Sequence, residues 1–284
     1  LTVKAKGIII YTRLNYKEGV MKKIVLMLIT AGILGAQTLE DDVRNMAVSL
    51  TDNAAALISS GVISNAGCRG GLPHFNVGVA ANASWFKFTN PVTSEEISFP
   101  AIFPYLYGEV GIFKGFSFTP LLRGIFAVDI LGKYAPTLIK SDYFEESPYL
   151  MGYGIKVQIL KDQLVPPTPA LSVAIMNHEY KNLTFKFDTL YTNLKLRDLS
   201  IRASISKNVL LLTPYVGVSY DIYSLNTNYW TTGDTTRKEI SAIENNSFSY
   251  FGGVEFKILL IKGYLEGLYR NKRFGLTLGL KAGI

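Results

Sequence analysis

From His74 to Ile284 apolar side chains recur at every second position, interrupted by polar or Gly-rich segments. The last such stretch shows the pattern most plainly. Phe274, Leu276, Leu278, Leu280, Ala282 and Ile284 fall on one parity, and Gly275, Thr277, Gly279, Lys281 and Gly283 on the other. A period of two is the signature of a β-strand with one apolar face. The same alternation predicts strands over 75–85, 105–112, 121–130, 151–159, 171–175, 199–206, 210–222, 248–260, 264–270 and 274–284. Pro214 lacks an amide hydrogen and predicts a bulge or an edge position within its strand. Residues 181–197 fit no single register, because Leu194 and Leu196 are out of step with the strand that follows.

Ten strands is an even number, so both ends of the strand array lie on one side. Connections 114–116, 162–169, 207–208 and 262–263 then fall on the side of the chain ends, and 89–102, 131–148, 181–197, 224–247 and 271–273 on the other. The first set is mostly short and the second mostly long. Before the strands, Leu39, Val43, Met46, Ala47, Leu50, Ala54, Leu57 and Ile58 recur at helical spacing. Thr38 and Asp41 supply an N-cap pattern and Gly61 a stop, which predicts a helix over 38–60. Gly67, Gly70, Gly71 and Pro73 make the loop that follows.

Hydrophobic residues are 48% of the chain, and the mean hydropathy is +0.21. No run of 18 apolar residues exists, so the sequence predicts no membrane-spanning helix. An apolar average without long apolar runs is what alternating strands produce. The 17 Tyr and 16 Phe point the same way. Met21, Lys22, Lys23, the apolar run 24–34 and Gly35-Ala36 have the layout of a secretory signal peptide over 21–36. Residues 1–20 are then expected to be an upstream extension that is not translated, with Lys17-Glu18-Gly19 matching a purine-rich ribosome-binding stretch. Six of the 29 basic residues and one of the 22 acidic ones lie in 1–36. That leaves 23 against 21 and a net charge of +2, which gives no reason to expect nucleic-acid binding. Cys68 is the single cysteine and excludes an internal disulfide.

The fold class predicted is all-β: an antiparallel up-and-down transmembrane barrel of about ten strands with a short N-terminal helix. Its domains are 37–73, a helix and Gly-rich loop acting as plug or cap, and 74–284, the barrel. Ten strands would supply more apolar side chains than so narrow an interior holds, so the apolar rows are expected to face lipid. Trp85, Tyr153, Tyr220, Phe248, Tyr250, Tyr269 and Phe274 gather toward the long-loop ends of their strands, where an interfacial aromatic girdle belongs. The opposite face places Glu109, Arg123, Asp129, Lys156, Arg202, Asp221, Glu255, Lys257, Glu266, Arg270 and Lys281 in the lumen. Six positive and five negative groups favour interior ion pairs over an ion-selective pore.

The closing strand, running to an apolar last residue, resembles that of bacterial outer-membrane β-barrels, although Ile284 stands where those carry an aromatic. The layout of helix followed by barrel is similar to outer-membrane fatty-acid transporters, which hold a helical hatch inside a larger barrel; their Asn-Pro-Ala motif is absent here. The resemblance implies the outer membrane of a Gram-negative-type bacterium, reached by export through the inner membrane. Its implied partners are outer-membrane lipid, the barrel-assembly machinery through the C-terminal strand, and a small solute.

The function expected is passive passage or uptake of a small, possibly apolar, solute. The alternative is a structural or adhesive protein with a closed, salt-bridged lumen, and a hydrolase is the least favoured class. Ten-strand outer-membrane proteases need Asp and His near the outer rim. Only His74 and His178 exist here, the latter beside Glu179 and with Asp188 further on, in no recognisable motif. No catalytic residue, metal site or cofactor is expected.

Overall fold

The computed structural model describes residues 2–5, 8–11, 58–61, 64–89, 96–119, 123–136, 149–164, 167–181, 184–187, 190–231 and 234–284. The predicted signal peptide and all but the last three residues of the predicted helix over 38–60 lie outside the described residues; of those three, Ile58 and Ser59 are helical. Strands β1 (Thr2–Ala5) and β2 (Ile8–Tyr11) form a two-stranded antiparallel hairpin.

The remaining strands are β3 (Phe75–Thr89), β4 (Glu96–Phe113), β5 (Ala127–Pro136), β6 (Tyr149–Leu160) and β7 (Ala170–Lys181). They continue as β8 (Thr184–Phe187), β9 (Leu190–Ser206), β10 (Leu212–Thr231), β11 (Asp234–Ile258), β12 (Ile261–Arg270) and β13 (Arg273–Gly283). Ten of them close a ring in the order β3-β4-β5-β6-β7-β9-β10-β11-β12-β13, and β13 pairs back onto β3. Short β8 adds only to the outer end of β9. Closure leaves no unpaired edge around the barrel wall, the condition for a sheet to stand in hydrocarbon.

The two faces settle which solvent surrounds the barrel. Along β13, Phe274, Leu276, Leu278 and Leu280 are 42–60% exposed, whereas Thr277 is 1% and Lys281 4% exposed. Val77 and Val79 on β3, Ile130 on β5, Ile155 on β6 and Ile175 on β7 likewise point outward. Apolar side chains cover the exterior and polar ones fill the interior, the inverse of a water-soluble barrel. The chain is therefore a transmembrane β-barrel.

Several boundaries differ from the sequence reading: β4 begins at Glu96 rather than 105, inside the predicted loop 89–102, β7 runs on to Lys181 rather than 175, and β9 begins at Leu190 rather than 199, inside the predicted connection 181–197. The third barrel strand is 127–136, not 121–130. Gly115 (φ +77), Gly124 (φ +63) and Phe126 (φ 60) bend the chain into a folded loop, tied by the Phe116–Ile125 bridge. The predicted turn at Lys262-Gly263 lies inside β12. The chain reverses instead at Leu259-Leu260, with Leu259 at φ 56. The reversal expected at 207–208 falls at Leu210-Leu211, with Leu210 at φ 58. Much of the predicted loop 224–247 is strand. β10 and β11 pair from Leu212↔Phe256 out to Thr231↔Asp234. Beyond the bilayer a sheet has no need of an apolar row, so polar residues continue the ladder there without the alternation that marks strands.

Candidate functional site

The interior is occupied by the chain itself. Residues 58–61 and 64–71 lie along the lumen as a strap, from mid-barrel down to the end that holds Ile284. There Leu72-Pro73 and His74 lead into β3. A segment without regular strand or helix pairing inside a closed barrel must satisfy most of its amides and carbonyls from the wall. The wall supplies both kinds of partner.

Strap amides donate to side-chain oxygens: Gly61 N to Glu266 Oε1 (2.9 Å), Ala66 N to Ser206 Oγ (3.1 Å), Cys68 N to Gln158 Oε1 (2.7 Å) and Arg69 N to Asp129 Oδ2 (2.9 Å). Strap carbonyls accept from cations and a phenol. Lys133 Nζ donates to Ile58 O (2.6 Å), Arg202 Nη1 to Ser59 O (2.8 Å), Tyr264 Oη to Gly61 O (2.7 Å) and Lys156 Nζ to Gly67 O (2.8 Å). Side chains join in at Glu255, which accepts from Ser64 Oγ (2.9 Å) and Asn65 Nδ2 (2.8 Å). Most of these contacts read the strap's backbone rather than its sequence.

The same wall groups pair with one another. Lys156 contacts Glu109 and stands 3.5 Å from Asp129, and strap residue Arg69 lies 3.4 Å from Glu109. Lys281 Nζ is 2.5 Å from Glu255 and also contacts Ser64. Arg202 pairs with Glu266 at 3.2 Å and Arg270 with Asp221 at 3.1 Å. Ser219 and Ser249 donate to the two oxygens of Asp221. Each of these carboxylates is buried, and each has a cation beside it, as buried charge requires.

Inward aromatics complete the filling by lying over cross-strand glycines: Tyr264 over Gly279, Phe251 over Gly217, Tyr215 over Gly253 and Tyr107 over Gly78. Toward the long-strand end the lining turns apolar, with Ala135, Leu150, Leu196, Leu225 and Ile243 in one buried cluster with Ile58.

Of the residues assigned to the lumen from sequence, Glu109, Asp129, Lys156, Arg202, Asp221, Glu255, Glu266, Arg270 and Lys281 stand in the interior. Arg123 does not. It is exposed in the loop before β5, because that strand starts later than the alternation indicated. Lys257 is exposed as well. It lies one residue from the end of β11, where the row has passed the barrel mouth.

The outward aromatics are Trp85, Tyr153, Phe248, Tyr250, Tyr269 and Phe274, each more than half exposed, and the partly exposed Tyr220. Register sets Tyr250, Tyr269 and Phe274 side by side, and the Tyr220 and Phe248 rings are 4.8 Å apart.

Sequence reasoning missed three buried charged or histidine side chains of the interior, Lys133, His178 and Asp198. Lys133 was hidden in a segment read as loop. His178 was read as a rim residue beside Glu179, but it is buried, with Nδ1 3.1 Å from Asp198 Oδ2 on the neighbouring strand. Glu179 points elsewhere and holds Lys181 (2.6 Å) and Arg197 (3.2 Å). The clue available was register: β7 and β9 place His178 opposite Asp198.

No protein-family model matches the chain, and no curated protein matches it in sequence. Solved structures that it resembles include the translocator domain of the autotransporter NalP from Neisseria meningitidis. That likeness has a TM-score of 0.41 and 8% identity, covering 85% of this chain and 97% of that one. The outer membrane protein Omp33 of Acinetobacter baumannii gives 0.30 at 10% identity, covering 74% and 99%. Ail, the attachment invasion locus protein of Yersinia pestis, in complex with the heparin analogue sucrose octasulfate, gives 0.28 at 7%, covering 74% and 97%. Likenesses this distant carry no argument about activity; the barrel stands on its own strand pairing.

Proposed function

We propose that the chain is a bacterial outer-membrane barrel held shut by its own strap, and that its work is structural or adhesive. The observation that carries this reading is the burial of the lumen lining. Asp129, Asp221 and Glu266 are 0% exposed, and Arg202 and Arg270 1%. In a water-filled pore such inward side chains would be wetted. The second support is the length of β11, 25 residues, and β10, 20 residues. A tilted strand crosses a bilayer in about 9–11 residues, so this hairpin rises well beyond the membrane and offers a surface to the outside. On this reading the chain-end side faces the periplasm, β13 serves the barrel-assembly machinery, and no hydrolytic step is assigned.

The buried apolar ring of Ala135, Leu150, Leu196, Leu225 and Ile243 favours a second reading, uptake of a small apolar solute that displaces packing near the outer mouth. Planar-bilayer conductance and vesicle flux of an apolar solute separate the two. The closed reading expects neither ion current nor solute flux from the full chain, together with recognition of an epitope inserted between residues 232 and 233 on intact cells. A sustained current, or saturable flux, overturns it.

A further inference from the structure

Two neighbouring reversals at the chain-end side break the usual chemistry of tight turns. Positions with φ near +60° favour Gly, Asn or Asp, because a side chain there crowds the backbone. Here leucine occupies both, at Leu210 (φ 58) and Leu259 (φ 56). Each is followed by a second leucine. Leu210 is 94% and Leu259 87% exposed, with Leu211 at 68% and Leu260 at 66%. In water such tips forgo apolar burial and accept backbone strain, with nothing in return.

The two tips form one surface. Lys257 N donates to Leu211 O at 2.9 Å, which joins the turns, and Leu212 is in register with Phe256. The surface also continues the lipid-facing rows, through exposed Leu212, Phe256, Ile258 and Ile261, with Lys257 on the opposite parity of β11 and Asn208 at the near side of the first tip. The turn backbone is largely self-satisfied. Val209 N donates to Leu212 O (2.8 Å), Leu212 N donates to Val209 O (3.0 Å), and Ile258 pairs with Ile261. A turn that has closed its own hydrogen bonds can enter the edge of the hydrocarbon, where an open loop cannot.

We infer that the 210–211 and 259–260 turns are not aqueous loops but are seated in the acyl region of the adjoining leaflet, with membrane lipid as their partner. The barrel is anchored deeper on its β9–β12 side, and lipid is the ligand of its leucine tips. This rests on the transmembrane reading of the barrel and does not depend on whether the lumen conducts.

The test uses the full chain in phosphatidylethanolamine–phosphatidylglycerol vesicles containing acyl-brominated lipid, with Trp85→Phe and Trp230→Phe removing the native indoles. A single Trp is then introduced as Leu259→Trp, as Leu210→Trp, or as Leu278→Trp in the middle of the exposed apolar row of β13. Bromine quenching of the two tip reporters, with protection from aqueous iodide, is the expected result. If Leu278→Trp is quenched by bromine but both tips are quenched only by iodide, the inference is overturned while the membrane barrel stands. Tips shielded by a protein partner in cells would give that same overturning result in purified vesicles. If Leu278→Trp is not quenched either, the barrel is not in the bilayer and both readings fail. Two tip positions guard against one substitution that misfolds.

Discussion

Gly61→Ala tests the strap at its tightest point. Gly61 has φ +76, and a methyl group there would collide with Tyr105 Oη and come 2.5 Å from Thr277 Cγ2 and 3.2 Å from Asn82 Oδ1. The left-handed backbone alone disfavours alanine by roughly 1–2 kcal/mol. Overpacking a filled interior adds about 1–3 kcal/mol. Together these shift the strap toward release by about 2–5 kcal/mol, and Glu266 and Tyr264 lose their bonds to the Gly61 amide and carbonyl when it moves. The reporter is native. Cys68 is the only cysteine, and it sits on the strap between Ala127 O (3.5 Å) and Lys156 O (3.7 Å). Cys68 is only partly buried, and a bulky maleimide reacts with it at the full rate of a free thiol only when the strap opens. At tenfold per 1.4 kcal/mol, the population of released strap in Gly61→Ala rises roughly 30- to 4,000-fold, and labelling in micelles should be faster than in the parent by up to that factor. Parent labelling at the rate of a free thiol, or equal rates in parent and variant, would refute the idea that the strap is clamped.

Three further outcomes follow from the same contacts. Arg202→Ala strands the Glu266 carboxylate in the interior and should destabilise the barrel by about 3–5 kcal/mol in urea titration into vesicles, with Arg202→Met/Glu266→Gln recovering much of the loss. His178→Phe leaves buried Asp198 without its hydrogen bond and should cost about 1–3 kcal/mol by the same titration, while Asp198→Asn, which keeps an acceptor for Nδ1, costs less. Leu278→Arg places a charge at the middle of the exterior apolar row and should cost about 2–4 kcal/mol; a loss no larger than that of Leu278→Ala would place the row outside the hydrocarbon.

What the sequence reveals here follows what lipid demands. Hydrocarbon tolerates only apolar side chains on one face, so rows such as Phe274–Ile284 announce their strands, their parity and their outward direction. Where lipid stops, so does the signal. The ladder from Ser224 to Thr231 and its partner Asp234 to Glu244 has polar residues on both faces and reads as loop. Lys133 lay in such a stretch, and the register of β9 that brings Asp198 to His178 was lost in the ambiguous 181–197 segment. Turn chemistry misled in the opposite way. Lys262-Gly263 looks like a reversal, whereas Leu259-Leu260 looks like strand, and tertiary context overrode both preferences. The strap itself could be suspected from Gly67, Gly70 and Gly71, but its hydrogen-bond partners come from residues up to 217 positions away. No local pattern encodes those.

The pairing of β13 with β3, sealed by reciprocal Phe75–Ile284 backbone bonds, makes the barrel a hoop whose ends are the two extremes of its strand sequence. Threading the strap through a finished hoop would require dragging polar backbone past packed side chains. The strap is joined directly to β3, so the natural order is the reverse: the segment lies against the first strand as a mandrel, and the growing sheet is rolled around it. Sealing then has to wait for β13, and a chain lacking that strand would be left as an open, curled sheet with its core already in place.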